Sequence, residues 1–523
     1  MSLQAAQAAL ARRDFLSAKR EAAGVLLQAP NDPAANQLLG IVALELGDLA
    51  LAKQHLQRSD KIAPGQPHTL NALGVAHRRS GELEEARQHF TRAGERGSIE
   101  GWRNLGNLES NAGNIAATAR AYEHAIKLSS SDAASHAGLA QALELSHQSD
   151  RARKHALRAL GLDPNNEIAT LTLANLDLRD GDFAAAEGHA SSVARGSRSP
   201  TNQALAWGVV GDVRDRLDDP KEAFAAFSEA NRILLSLNRL HIEASELPYH
   251  PDGVDRIRAF AERGDVSAWR APQNVAEPAP IFLVGFPRSG TTLLEQILSA
   301  HPSLVCIEER EHLALSAPAE AYDPSRLAAL SDDAINSIRT EYWRRVRAET
   351  EIGNRIVVDK LPLNVIFLSL ILRVFPEAKI LFALRDPRDV VLSCFQQRFG
   401  MNAAMVQFLD LHTAAAYYDK VMGLGLLCRE RLGLSVYEVR YESVVRDLEQ
   451  VARGVTDFLG LPFESSMLEF REAALKRNIN TPSARQVVQP IYNRAVGRWK
   501  RYEEQLAPVL PLLNAWAERL GYE

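Results

Sequence analysis

The stretch Pro287-Arg288-Ser289-Gly290-Thr291-Thr292 concentrates one cation, three hydroxyls and a glycine in six residues. Ile281 to Val284 precede it as an apolar strand, and Leu293, Leu294, Ile297 and Leu298 follow it at helical spacing. Strand, glycine turn and helix start together form an anion cradle. Successive amide N–H groups and the positive end of the helix dipole aim at one point. Gly290 lets the backbone approach a phosphate without a Cβ in the way, and Arg288 supplies the positive charge. Further on, Glu308-Glu309-Arg310-Glu311 follows a short strand, and a desolvated carboxylate there suits deprotonation of an acceptor hydroxyl. Lys360 ends the run Arg355 to Lys360. Arg385 and Ser393 stand eight residues apart, enough to cross a turn and add one turn of helix. An arginine fork suits a dianionic phosphate.

These residues need a scaffold that brings strand ends together. Apolar runs at 281–284, 304–306, 355–360, 378–385 and 435–442 alternate with helical stretches, one of which starts at Ser331 and continues through Trp343. Such alternation predicts a three-layer α/β domain on a parallel sheet, in which ligands bind beyond the carboxyl ends of the strands. The cradle, the acidic cluster Glu308-Glu309-Arg310-Glu311, Lys360 and Arg385 all fall at those ends.

Gly285-x4-Gly290 has the glycine spacing of a nucleotide-triphosphatase P-loop, but Thr291 stands where that motif carries lysine. The loop instead resembles the 5′-phosphosulfate loop of sulfotransferases that use 3′-phosphoadenosine 5′-phosphosulfate (PAPS). Its continuation through Ala300-His301-Pro302 and Glu308-Glu309 is most similar to the tyrosylprotein sulfotransferase branch. The likeness covers about residues 279 to 503. It implies that Arg288, Ser289, Gly290, Thr291 and Thr292 hold the phosphosulfate and that Glu309 is the general base, with Glu308 its nearest competitor. Lys360 would stabilise the oxygen leaving sulfur, and Arg385 and Ser393 would bind the 3′-phosphate. Tyr441, in the strand-end Tyr441-Glu442, would lie by the nucleotide. Arg498 falls on the branch's phosphate-binding lysine, and Ser483 lies one residue from its loop serine, which aligns with Ala484. Two positions depart from the branch. Glu311 replaces an arginine that contacts acidic peptides, and Gln397 replaces a third phosphate-site arginine, with Arg398 adjacent.

The first half repeats itself. Leu39-Gly40, Leu73-Gly74, Leu105-Gly106, Leu139-Ala140 and Leu173-Ala174 recur at steps of 34, 32, 34 and 34 residues. Gly47, Gly81, Gly113 and Gly181 follow four of these small positions by seven, and Ala52, Ala86, Ala152 and Ala186 follow four by twelve, with Thr118 in the third unit. This pattern resembles tetratricopeptide repeats, helix–turn–helix units that stack into a solenoid. Ala18 extends it backwards, while Gly211 and Ala223 add a last unit, giving about seven over residues 1–237. Nothing in this half forms a catalytic constellation, so it is expected to be an acceptor- or partner-recognition module whose concave surface suits an extended peptide or a partner protein. Residues 238–278 are expected to be a helical connector ending in the proline-rich Ala271–Pro280, and 279–523 the sulfotransferase domain, large enough to fold alone.

The chain has 523 residues and a net charge of −5, which disfavours nucleic-acid binding. Three cysteines, Cys306, Cys394 and Cys428, suit a reducing compartment better than a disulfide framework. The first residues lack the apolar core of a signal peptide, and the run Val365 to Leu372 is too short to span a bilayer. The expectation is a cytoplasmic, PAPS-dependent sulfotransferase without metal. Its alternatives are a P-loop kinase or NTPase, which needs the missing lysine and a metal, and a scaffold with a degenerate enzyme half.

Overall fold

The computed structural model describes residues 2–243, 245, 247–263, 277–322, 324–471 and 495–523. They divide into two compact units, Met1–Ser197 and Arg198–Glu523.

In the first unit, six successive helix pairs follow the repeat. They are α1–α2 (Leu3–Ala11, Phe15–Gln28), α3–α4 (Pro33–Glu45, Leu49–Ile62) and α5–α6 (Pro67–Arg79, Leu83–Glu95). Then come α7–α8 (Ile99–Asn111, Ile115–Leu128), α9–α10 (Ala133–Leu145, Ser149–Leu162) and α11–α12 (Glu167–Asp180, Phe183–Gly196). The small position is dictated by packing: a Cβ on Gly40 would stand 2.5 Å from Leu56, and one on Gly74 2.5 Å from Phe90. Gly47, Gly81, Gly113 and Gly181 turn the chain between partners at φ between +75° and +84°, a left-handed backbone that other residues adopt at a cost. Asp14, Asp32, Asp48 and Asp182 cap the helices that follow them.

The second unit opens with α13 (Pro200–Arg216) and α14 (Pro220–Leu237). Their internal packing is that of the repeat, with Gly211 against Phe227. Yet Ala223 and Phe227 belong to the same buried cluster as the sheet residues Phe282 and Phe382. The sequence border after 237 and the division after 197 therefore differ by this one helix pair, whose apolar face is shared with the enzyme core.

The sheet consists of β1 (Ile281–Gly285), β2 (Leu304–Glu308), β3 (Ile356–Lys360), β4 (Lys379–Leu384) and β5 (Ser435–Arg440), parallel throughout in the order β2-β3-β1-β4-β5. Side chains alternate between two cores. Phe282, Val284, Ile380 and Phe382 face one side, with Tyr342 of α20 (Asp332–Glu349) and Tyr417 of α23 (Leu411–Arg431). Ile281, Leu283, Leu381 and Ala383 face the other, with Leu294 and Leu298 of α17 (Thr291–Ser299). The chain leaves β1 toward one edge and β4 toward the other, so a crevice opens beyond their adjacent carboxyl ends.

Candidate functional site

The loop from Gly285 to Gly290 bridges β1 and α17 in the conformation an anion cradle requires. Arg288 has φ +70° and Gly290 φ +92°, the latter as N-cap of α17. A Cβ on Gly290 would lie 2.6 Å from Tyr441 Cδ2, so the tyrosine ring closes directly on the loop. Ser289, Thr291 and Thr292 are buried.

The first constellation joins this loop to the end of β4. Arg288 Nε donates to Ser393 Oγ at 3.0 Å, across 105 residues of sequence. Ser393 lies on α22 (Pro387–Gln396), whose start follows the turn after β4. Arg385 Nη1 donates to the Arg288 carbonyl at 3.0 Å, Nη2 to the Ala495 carbonyl at 2.5 Å, and its Cζ stands 4.7 Å from the centre of the Tyr441 ring. Arg385 Nε is buried with no hydrogen-bond partner among the described residues, so the fork keeps a donor for an anion. Asp389 accepts from the Gly497 and Trp499 amides at 2.7 and 2.8 Å and thereby stitches the C-terminal segment to α22. Burial pushes its pKa up against the pull of Arg385. Arg388, by contrast, is consumed structurally, bonded through Nε and Nη2 to Asp386 at 2.9 and 2.7 Å and lying over Trp499.

The second constellation is a buried lysine among carboxylates. Lys360 Nζ is fully enclosed and lies 2.9 Å from Glu309 Oε1 and 3.1 Å from Glu295 Oε2. Register explains the meeting: Glu308 pairs with Lys360 across β2 and β3, and the Glu309 amide donates to the Lys360 carbonyl at 2.8 Å. Glu309 adopts φ +46°, which turns it out of the strand and leaves its side chain 34% exposed. Burial lowers the Lys360 pKa, but Glu295, Glu309 and Glu308 outweigh it and the net shift is upward. Burial raises Glu295 to about 7 despite Lys360. Lys360 thus stays an ammonium, while Glu295 beside it is held close to the midpoint between its neutral and ionised forms at neutral pH. Beneath them Asp359, also raised to about 7 by burial, accepts from Tyr342 Oη at 2.9 Å.

The expected residues thus fall into two groups plus outliers. Arg288, Ser289, Gly290, Thr291, Thr292, Arg385, Ser393 and Tyr441 come together, as do Glu309 and Lys360. Arg498 begins a short 3₁₀ turn, and its Nη2 lies 2.8 Å from Asp215 Oδ2 of α13. Arg398 likewise pairs with Asp212 at 2.8 Å. Ser483 lies outside the described residues. Glu295 carries no warning in the sequence: it sits on an apolar helix beside Leu294, and only the fold turns it inward toward Lys360. Among the described residues no group of three or more His, Cys, Asp or Glu side chains is placed to hold a metal, and no helix is long and apolar enough to cross a membrane.

A parallel α/β sheet with a glycine loop leading into a helix at β1 and an arginine–serine pair after β4 is an arrangement with the donors to hold anionic groups. Residues 280–465 match the model of the sulfotransferase family, and residues 3–67 and 103–167 match that of the tetratricopeptide repeat. The chain therefore carries a sulfotransferase-family domain behind tetratricopeptide repeats. It is 28% identical over 338 residues to an uncharacterized protein of Aquifex aeolicus (strain VF5), covering 61% of this chain and 42% of that one. It is 26% identical over 266 residues to a protein-tyrosine sulfotransferase of Drosophila melanogaster, covering 46% of this chain and 51% of that one. The chain thus spans about half the length of these relatives or less. Among solved structures, the sulfotransferase domain from the Synechococcus PCC 7002 olefin synthase is 24% identical, covering 44% of this chain and 90% of that domain with a TM-score of 0.30.

Proposed function

We propose that the protein moves a sulfuryl group from PAPS to an acceptor hydroxyl. The observation that carries this reading is the Arg288–Ser393 contact with Arg385 beside it. It supports the reading because the loop taken to hold the phosphosulfate then lies beside the pair taken to hold the 3′-phosphate, as a donor with groups at both positions requires. In the reaction, the acceptor oxygen forms a bond to sulfur as the bond from sulfur to the 5′-phosphate oxygen breaks. Glu309 takes the acceptor proton, and 3′,5′-ADP departs. Arg288 and the loop amides neutralise charge on the sulfuryl oxygens and the departing phosphate. Lys360, wholly buried and 2.9 Å from Glu309 Oε1, offers its charge toward the leaving oxygen. A sulfuryl group carries one negative charge where a phosphoryl carries two, so protein cations suffice for this step.

The acceptor class is a hydroxyl, protein tyrosine among the candidates. Glu311 next to the base disfavours the strongly acidic peptides that an arginine at that position would attract. The repeat array is assigned the choice of acceptor or partner protein, and the three thiols, none in a disulfide, support a cytoplasmic setting. The test is thermal unfolding with nucleotides. Ligand at a hundredfold excess over Kd stabilises by about 2.7 kcal/mol. PAPS and 3′,5′-ADP should raise Tm with EDTA present, and ATP should not. A magnesium-dependent shift with ATP and none with 3′,5′-ADP would replace this reading with a kinase.

A further inference from the structure

The buried Lys360 ammonium lies on the side of the sheet that carries the helix after the glycine loop. Lys360 pairs in register with Leu283 of β1, two residues before Gly285 opens that loop. Side chains at paired positions share a face, and Leu283 belongs to the cluster formed with Leu294 and Leu298 of α17. The Lys360 side chain therefore rises on the α17 side. Glu295 meets it there, with Oε2 standing 3.1 Å from Nζ. Thr291 is the first residue of α17, so Glu295, four residues on, lies one turn into the helix that the loop starts. From another direction Nζ donates to Glu309 Oε1 at 2.9 Å. The two anchors differ. Glu295 is 3% exposed and sits on a helix packed into the core, whereas the Glu309 side chain is 34% exposed and follows a strand end at φ +46°. An enclosed ammonium needs fixed acceptors. With Glu309 alone, Nζ would be free to follow a solvent-facing carboxylate outward.

We propose that Glu295 is a positioning residue for the 5′ end of the donor, acting by holding the Lys360 ammonium against the first turns of α17. This rests on the PAPS reading above, in which the loop before α17 takes the phosphosulfate. An ammonium carries three N–H donors. With Glu309 and Glu295 each facing one, the third is left for an oxygen of the bound 5′ group, and the other two set its direction. Glu295 acts only through Lys360, and it ties the lysine to the same helix whose start receives the donor.

The test compares 3′,5′-ADP with 3′-AMP, which lacks the 5′-phosphate, by calorimetry on the full chain at pH 6. Glu295, raised to about 7 by burial, is mostly neutral there, so a neutral replacement leaves the local charge almost unchanged. Glu295→Leu keeps the bulk and deletes the acceptor. It should weaken 3′,5′-ADP about tenfold, the loss of one charge-assisted contact, and leave 3′-AMP unchanged. Glu295→Met, also without an acceptor, should behave as Leu and serves if Leu does not fold. Glu295→Gln, which keeps an acceptor oxygen at the same reach, should recover most of the lost affinity. Lys360→Met should lose at least as much as Glu295→Leu, and the double variant no more than Lys360→Met alone. Leu298→Ala, which loosens the same helix without removing a partner of Lys360, should lower Tm and leave the ratio of the two affinities unmoved. The proposal falls if Glu295→Leu weakens both nucleotides alike, tightens 3′,5′-ADP, or adds its loss to that of Lys360→Met. It also falls if Glu295→Gln is as damaging as Leu, or if Leu298→Ala shifts the ratio as far. A wild-type protein that binds 3′,5′-ADP no better than 3′-AMP would instead defeat the PAPS reading itself, before any variant is made.

Discussion

Replacing Glu295 by glutamine should make the fold less sensitive to pH, by an amount the Lys360 cluster sets. In the folded chain Glu295 titrates near 7, because burial costs its charge more than Lys360 returns. In the unfolded chain it titrates at the ordinary value of 4.5. Between those values the folded state holds a proton that the unfolded state has released. Stability from this group is thus fully present below 4.5 and is lost as pH rises through 7. A gap of about 2.5 pKa units corresponds to roughly 3 kcal/mol. Glutamine mimics the neutral acid and has nothing to lose. Urea unfolding of wild type and Glu295→Gln at pH 4.5, 6 and 8, followed by tryptophan fluorescence, measures the difference directly. The wild type should lose about 3 kcal/mol relative to the variant across that range, with the urea m-value unchanged. Parallel stability curves would mean that Glu295 is ionised in the folded state beside Lys360. The upward shift of Glu295 by burial would then be outweighed by its pairing with Lys360.

Three further outcomes follow from the same geometry. Glu309→Gln should lower turnover by about 10²–10⁴-fold with 3′,5′-ADP affinity nearly unchanged, measured by sulfate transfer and calorimetry; an active Glu309→Gln beside a dead Glu308→Gln would move the base by one residue. Arg385→Ala should weaken 3′,5′-ADP by about 10–100-fold while sparing 5′-AMP, because it deletes a charged fork at the 3′ side; equal loss for both nucleotides would place the arginine elsewhere. A fragment of residues 198–523 should be soluble and bind 3′,5′-ADP, whereas 240–523 should aggregate. The shorter one strips Phe224 from its stack on Phe395, Phe227 from the core, and the Asn231 side chain that donates to the Phe395 carbonyl at 2.9 Å. A soluble, nucleotide-binding 240–523 would show that α13 and α14 are dispensable.

What the sequence determined by itself is whatever depends on local order. The cradle is legible because strand, glycine turn and helix start are consecutive, and the strands because apolar runs five or six residues long have few other places to go. The repeats are legible because each helix pair solves the same packing problem with the same residues, Gly74 beneath Phe90 as Gly40 beneath Leu56. Tertiary structure alone decided what depends on distance. Arg288 meets Ser393, and Lys360 meets Glu295, only because β1 is flanked by β3 and β4 in the sheet. The seventh helix pair shows the same limit most clearly. Its Gly211 and Ala223 satisfy the repeat within the pair, but which surface covers the pair's outer residues is a long-range choice. Asp215 reaches Arg498 across nearly three hundred residues, and a local pattern holds no record of it.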